Sequence, residues 1–167
     1  DHFGTITLGS DTFKDNFADG NFTSAPVWIE SIQTWNVGAG VLQPSNNAAS
    51  EIYSNSIVST GSFAFTMTQT GGGTNATVKF ISSTTVLSSP GYGVNAVTNG
   101  AATATDFTLQ EFPGAATLCT TGADANSPPG TYNYQVLRSA TGYMQLLVGG
   151  TVRCTATDAT VSYSSQV

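Results

Sequence analysis

An all-β chain, folded as two antiparallel sheets packed into a sandwich, is predicted by three features of the sequence. No run of apolar residues at 3.6-residue spacing lasts three helical turns, because glycine or proline interrupts most candidate windows. Short segments with period-two alternation recur along the chain instead, and Gly-rich turns separate many of them. At 167 residues, with 40% hydrophobic residues and no separating linker, the chain is long enough for one domain with a proper core and too short for two comfortable ones.

The elements follow in order. Residues 4–8 place Gly4, Ile6 and Leu8 on one side and Thr5 and Thr7 on the other, a two-faced strand. Strand patterns appear at 27–35 and 49–56, and residues 62–68 give the plainest case, with Phe63, Phe65 and Met67 on one face and small or polar side chains on the other. Further strands are expected at 77–81, 92–97 and 107–111. Residues 131–137, 143–148 and 151–156 read as a three-strand meander, joined by Arg138-Ser139-Ala140-Thr141-Gly142 and then by the tight turn Val148-Gly149-Gly150-Thr151. Residues 69–74 and 123–130 read as long polar loops, with Gly71-Gly72-Gly73 a flexible hairpin tip. Trp28, Trp35, Phe63, Phe65, Phe80, Tyr92 and Phe107 fall at alternating strand positions, where core packing accounts for them.

Only 8% of residues are charged, so solubility rests on hydroxyls, amides and attached sugar. The net charge is −6, and Lys14, Lys79, Arg138 and Arg153 lie far apart, with no basic run to track phosphates; nucleic acid is not an expected partner. No apolar stretch approaches the ~20 residues that span a bilayer, and no positively charged segment with an apolar core opens the sequence, so a secreted form would already have lost its signal. Cys119 and Cys154 are open to three readings: a disulfide, two thiols or half of a metal site. Their separation of 35 lacks the close spacing of zinc ligands, and the disulfide is preferred, which requires an oxidising compartment. The acceptor sequons Asn21-Phe22-Thr23 and Asn75-Ala76-Thr77 also point outside the cell.

Three stretches carry a family resemblance: Asp15-Asn16-Phe17-Ala18-Asp19-Gly20 followed by Trp28, then Trp35-Asn36-Val37-Gly38-Ala39-Gly40-Val41-Leu42, then residues 134–151. Together they resemble the concanavalin A-like lectin/glucanase superfamily, LamG-type branch, from about Asp11 onward. The resemblance implies a jelly-roll sandwich over residues 11–167, preceded by a strand extension at 1–10. The members of that superfamily that cut β-glucans carry Glu-x-Asp-x-x-Glu on one strand. This sequence has no such pattern, and Glu30, Glu51 and Glu111 stand alone, so no glycosidase is expected. The single histidine, His2, lies near the amino terminus without a preorganised setting, which argues against a Ser-His-Asp assembly. The Gly71-Gly72-Gly73 run precedes a strand rather than a helix and is no phosphate loop.

LamG-like relatives often bind calcium near a loop edge. Asp158 resembles a late-domain acidic position of that kind, and Asp11, Asp15 and Asp19 cluster near the start. For Asp15 and Asp19 the preferred reading is that they set turns, and no other cofactor is expected. In the family a further strand follows the region of Asp158 and returns beside the first strand, whereas this sequence ends at Val167. The leading expectation is therefore a secreted, non-catalytic structural protein. The strand carrying Gly4, Ile6 and Leu8 would be donated to a neighbouring copy, building a head-to-tail filament or cell-surface fibre coated by glycans. In the alternative arrangement that strand folds back as an edge strand of its own domain, and residues 163–167 begin a shortened closing strand. The competing function is a carbohydrate-binding, lectin-like module, an adhesin or accessory domain, using Tyr92, Tyr132 or Tyr143.

Overall fold

The computed structural model of the chain describes residues 2–8, 13–23, 26–46, 50–55, 58–73, 75–83, 89–122 and 128–161. Among them lie fourteen strands: β1 (His2–Leu8), β2 (Phe13–Asp15), β3 (Trp28–Ile32), β4 (Trp35–Gly38), β5 (Val41–Pro44), β6 (Glu51–Ser54), β7 (Gly61–Thr68), β8 (Asn75–Ser82), β9 (Gly91–Thr98), β10 (Thr105–Phe112), β11 (Ala116–Thr120), β12 (Thr131–Arg138), β13 (Tyr143–Val148) and β14 (Thr151–Thr157).

An eight-stranded sheet runs β14-β13-β12-β7-β1-β5-β4, with β2 paired to β1 off that path; a four-stranded sheet runs β11-β10-β9-β8; and β3 and β6 form a two-stranded sheet. All the pairings are antiparallel. The alternation read from the sequence is what joins the sheets. Phe63, Phe65 and Met67 of β7, Tyr134 and Val136 of β12, and Met144, Leu146 and Val148 of β13 are all buried. They meet Val78 and Phe80 of β8, Tyr92, Val94 and Ala96 of β9, and Phe107 and Leu109 of β10. The rings interlock across the layer: Phe63 and Phe80 centroids are 4.9 Å apart, and Phe107 meets Tyr134 edge-on at 5.7 Å. Each large apolar side chain taken fully out of water stabilises the fold by roughly 1.5–3 kcal/mol.

Val148-Gly149-Gly150-Thr151 makes the expected tight turn. Gly149 and Gly150 both take positive φ (59° and 79°), the backbone that matches a two-residue hairpin to strand twist. The meander β12-β13-β14 therefore stands as read. The segment 27–35 does not form one strand. The backbone turns at Gln33, φ 63°, which sends β3 into the two-stranded sheet and β4 into the large one. The glycine tip is not loose either. A Cβ on Gly72 would lie 2.5 Å from the Gly100 carbonyl oxygen, and Gly73 N donates to Asn99 O, so the turn packs against its neighbour.

The strand at the amino-terminal end folds back onto its own domain, as the alternative arrangement has it, but not as an edge strand. Within the chain β1 is not at an edge: it pairs with β7 on one side, through Ile6↔Phe65, Thr7↔Ala64 and Leu8↔Phe63, and with β2 and β5 on the other. The slot expected to lie empty beside the first strand of the family motif is filled from the same chain. Leu8 and Phe13 are register partners close in sequence, so this pairing costs little closure entropy within one chain. The proposed closing strand at 163–167 lies outside the described residues.

Cys119 of β11 and Cys154 of β14 form a disulfide, with Cα atoms 5.9 Å apart. It ties the edge of the four-stranded sheet to the edge of the eight-stranded one.

Candidate functional site

The outward face of the large sheet carries the side chains that alternate with the core. In β7, β12 and β13 these include Ser62, Thr66, Thr68, Asn133, Gln135, Leu137, Tyr143 and Gln145. Register aligns them into rows: Leu137 lies between Ser62 and Gln145. Neighbours hold one another by hydrogen bonds. Thr66 Oγ1 donates to Asn133 Oδ1 at 2.8 Å, the Thr68 and Thr131 hydroxyls meet at 2.7 Å, and Gln135 Nε2 donates to Ser62 Oγ at 2.9 Å.

Near the β12–β13 hairpin this face opens into a groove of about 430 Å³ lined by Gly61, Ser62, Leu137, Arg138, Ser139, Tyr143 and Gln145. The hairpin sets the tyrosine. Ser139 N donates to Tyr143 O at 2.9 Å, and Tyr143 N donates back to Ser139 Oγ at 3.0 Å. Gly142 takes φ 83° and has no room for a side chain, since a Cβ there would lie 2.3 Å from the Asp158 carbonyl oxygen. Tyr143 is 43% exposed, and its hydroxyl accepts a hydrogen bond from Gln145 Nε2 at 3.2 Å. The ring is fixed at its polar tip and open to solvent.

Arg138 belongs to this groove by position, but its guanidinium is engaged inside. Nη1 donates to Ser59 O at 2.7 Å, Nη2 donates to Val161 O at 2.8 Å, and the group sits 5.1 Å from the Tyr92 ring centre. The lining is therefore mainly apolar, with Leu137 and the Tyr143 ring, and it adds the Ser62 and Ser139 hydroxyls and the Gln145 amide. It contains no carboxylate, histidine or cysteine with which to run acid–base or nucleophilic chemistry.

The other tyrosines singled out in the sequence are committed elsewhere. Tyr92 is fully buried, and its hydroxyl donates to Asp158 Oδ1 at 2.6 Å. The Tyr132 ring lies edge-on to Phe107 at 5.5 Å, and its hydroxyl donates to Pro128 O at 2.5 Å. Of these three, Tyr143 alone presents an exposed ring.

The calcium candidates act as turn-setters and network members. Asp15 Oδ1 accepts from Phe17 N at 2.8 Å and Oδ2 accepts from the Trp28 indole N–H at 2.9 Å, so both oxygens serve the fold. Asp19 accepts from the backbone and amide of Asn21. Burial opposes ionisation of Asp158, yet hydrogen bonds from Thr160 and Tyr92 outweigh it and hold the carboxyl below its usual value. Among the described residues no group of three or more His, Cys, Asp or Glu side chains is placed to hold a metal ion. Asp11 lies outside them.

A second polar cluster, not anticipated from sequence, surrounds Lys79. Its ammonium donates to Ser89 O and, at 3.0 Å, to Ser89 Oγ; the Ser82 and Ser89 hydroxyls are 2.9 Å apart; and the Phe112 ring centre lies 5.0 Å away. Gly91 makes room for the lysine stem, because a Cβ there would lie 2.5 Å from Lys79 Cε. Burial pulls the Lys79 pKa down to about 8, with Glu51 opposing the shift. All three polar residues are buried, which marks the cluster as internal support rather than a place where a substrate enters. A lysine inside the apolar run Val78-Lys79-Phe80-Ile81 is the signal that would have found it.

No family model matches the chain, and no curated protein sequence matches it. The solved structures do contain a likeness. A carbohydrate binding module, CBM66 from Bacillus subtilis, matches with a TM-score of 0.61 and 17% sequence identity, covering 83% of this chain and 84% of that one. At that identity the likeness is one of fold, and the fold is a β-sandwich.

Proposed function

We propose that the chain is a non-catalytic carbohydrate-binding module that works outside the cell, with the glycan lying in the groove beside Tyr143. The observation that carries this reading is an exposed tyrosine ring, its hydroxyl bonded to Gln145, beside a mainly apolar floor at Leu137 that the Ser62 and Ser139 hydroxyls and the Gln145 amide flank. A sugar ring has an apolar face that stacks on an aromatic and an equatorial rim of hydroxyls that exchange hydrogen bonds with amides. The likeness to a carbohydrate binding module supports the reading, and the disulfide is consistent with an oxidising, extracellular setting. The test is a glycan array probed with the intact protein, followed by calorimetry on the best ligand. Tyr143→Ala is expected to weaken binding by roughly tenfold or more, as truncation of a central aromatic contact does. An array without a binder, or a Tyr143→Ala protein that binds as well as the parent, would sink it.

A second reading, the subunit of an extracellular filament joined by its amino-terminal strand, is favoured by the place of β1. It precedes the other described elements, yet it lies in the interior of the large sheet between β7 and β5. The slot it fills takes an extended strand in a defined register, and another copy offering the same seven residues would meet the same partners. Negative-stain electron microscopy of the natively produced protein decides between the readings. Filaments that vanish when residues 1–10 are removed support strand exchange, and uniform small particles from the intact protein count against it.

A further inference from the structure

Asn75 opens β8, directly after the glycine turn, at the head of the sequon Asn75-Ala76-Thr77. The alternation of β8 turns Val78 and Phe80 into the core, which puts Asn75 and Thr77 on the outward face of the four-stranded sheet. Asn75 is exposed. Its register partner on β9 is Val97, an apolar side chain 37% exposed. The Thr77 hydroxyl donates to Asn95 Oδ1 at 3.3 Å, whereas in the other sequon the asparagine amide itself is engaged: Asn21 Nδ2 donates to Asp19 Oδ2 at 2.6 Å, and Asn21 Oδ1 accepts from Thr23 N at 3.2 Å.

We propose that Asn75 is a site of N-linked glycosylation, and that the first sugar of the chain lies against Val97. The reaction needs an accessible amide nitrogen and a hydroxyl two residues on. A lipid-pyrophosphate-linked oligosaccharide serves as donor: the bond from Asn75 Nδ2 to the anomeric carbon forms, the bond from that carbon to the pyrophosphate oxygen breaks, and the displaced amide proton passes to a base of the transferase. The position suits such a group. The sugar projects from a sheet face without displacing a core side chain, and it shields an exposed valine in a protein whose charged residues make up only 8% of the sequence. It also sits on the four-stranded sheet, whereas the Tyr143 groove is on the eight-stranded one.

The experiment is glycopeptide mapping, with electron-transfer fragmentation, of the protein secreted by its native cell, alongside intact masses of the Asn75→Gln and Thr77→Ser variants from the same cell. Asn75 is expected to carry an oligosaccharide. Asn75→Gln should lower the intact mass by one glycan, and Thr77→Ser should keep it. An unmodified Asn75 in the native protein overturns the proposal, whatever the occupancy of Asn21. So does a mass that Asn75→Gln changes only by the amino-acid difference.

Discussion

Lys79 is a charge held largely out of water by Phe112, Ser82, Ser89 and the glycine floor of β9, and its proton reports on folding. In the unfolded chain the ammonium keeps its proton up to its ordinary value of about 10.5, whereas in the folded protein burial lowers that to about 8. Between those values the unfolded state binds more protons than the native state, so stability rises with pH across this window. Tyr134 acts in the opposite sense higher up. Burial pushes its hydroxyl well above the ordinary value of 10.0, so once the unfolded tyrosine ionises, stability falls. The expected result is a urea midpoint that is higher at pH 9.5 than at pH 7.5 and turns down above about pH 10. Lys79→Met should flatten the rise. A parent protein with a level or falling midpoint between those two pH values would show that Lys79 is better solvated than its surroundings indicate. At this scale the sequence was partly legible. Trp28, Phe63 and Phe65 are buried as their alternation indicates, but nothing local in the sequence tells Tyr92 from Tyr143, because each opens or nearly opens a strand, and only the packing of Asp158 and Arg138 onto Tyr92 closes one of them off.

At the scale of elements, long strands with clean alternation were legible, and short ones governed by their neighbours were not. β7, β12 and β13 have one face in the core and the period-two pattern records that face directly, whereas β9 and the second half of β8 are buried on both faces and β14 is at most part-buried. β2, β5 and β11 are short and have no strand pattern of their own in the sequence. β2 exists because β1 lies beside it, and β11 because β10 does; pairing of this kind leaves little trace in composition. The split of β3 from β4 turns on one positive φ at a glutamine, which residue type does not forecast. The disulfide then joins elements that pattern alone does not relate. β11 and β14 are the outer strands of their sheets, and Cys119–Cys154 closes a loop with a sequence separation of 35. On the chain-entropy model, a crosslink of that span stabilises by about 3–4 kcal/mol. Replacing both cysteines by serine should lower the free energy of unfolding by that order in denaturant titrations. The slope with denaturant should rise if the unfolded chain expands. A double variant as stable as the parent would mean that the β11 and β14 edges are held by packing alone.

At the scale of the whole molecule, the decisive element is β1, which pairs within its own chain in the interior of the large sheet. Residues 4–8 were read as two-faced, and the alternation is real, but alternation sets the face of a strand and says nothing of which chain supplies its neighbours. In the folded chain β1 bridges two groups of strands. Without it, β14-β13-β12-β7 ends at an unpaired β7 edge and β5-β4 at an unpaired β5 edge, with the backbone groups of both exposed. Removing residues 1–10 should therefore do more than trim a terminus. The truncated protein is expected to lose cooperative thermal unfolding and to associate through its open edges, as measured by calorimetry and light scattering. A synthetic peptide of residues 1–10 added in excess should restore a single transition whose midpoint climbs with peptide concentration, because a ligand that binds only the folded state stabilises it by mass action. Restoration would establish that the slot accepts β1 in trans, which is the property a head-to-tail polymer requires and a solitary binding module does not. A truncated protein that unfolds cooperatively at the parent's midpoint without peptide would mean that β1 is dispensable to the sheet. That result would leave the amino-terminal strand no part in joining one copy to the next.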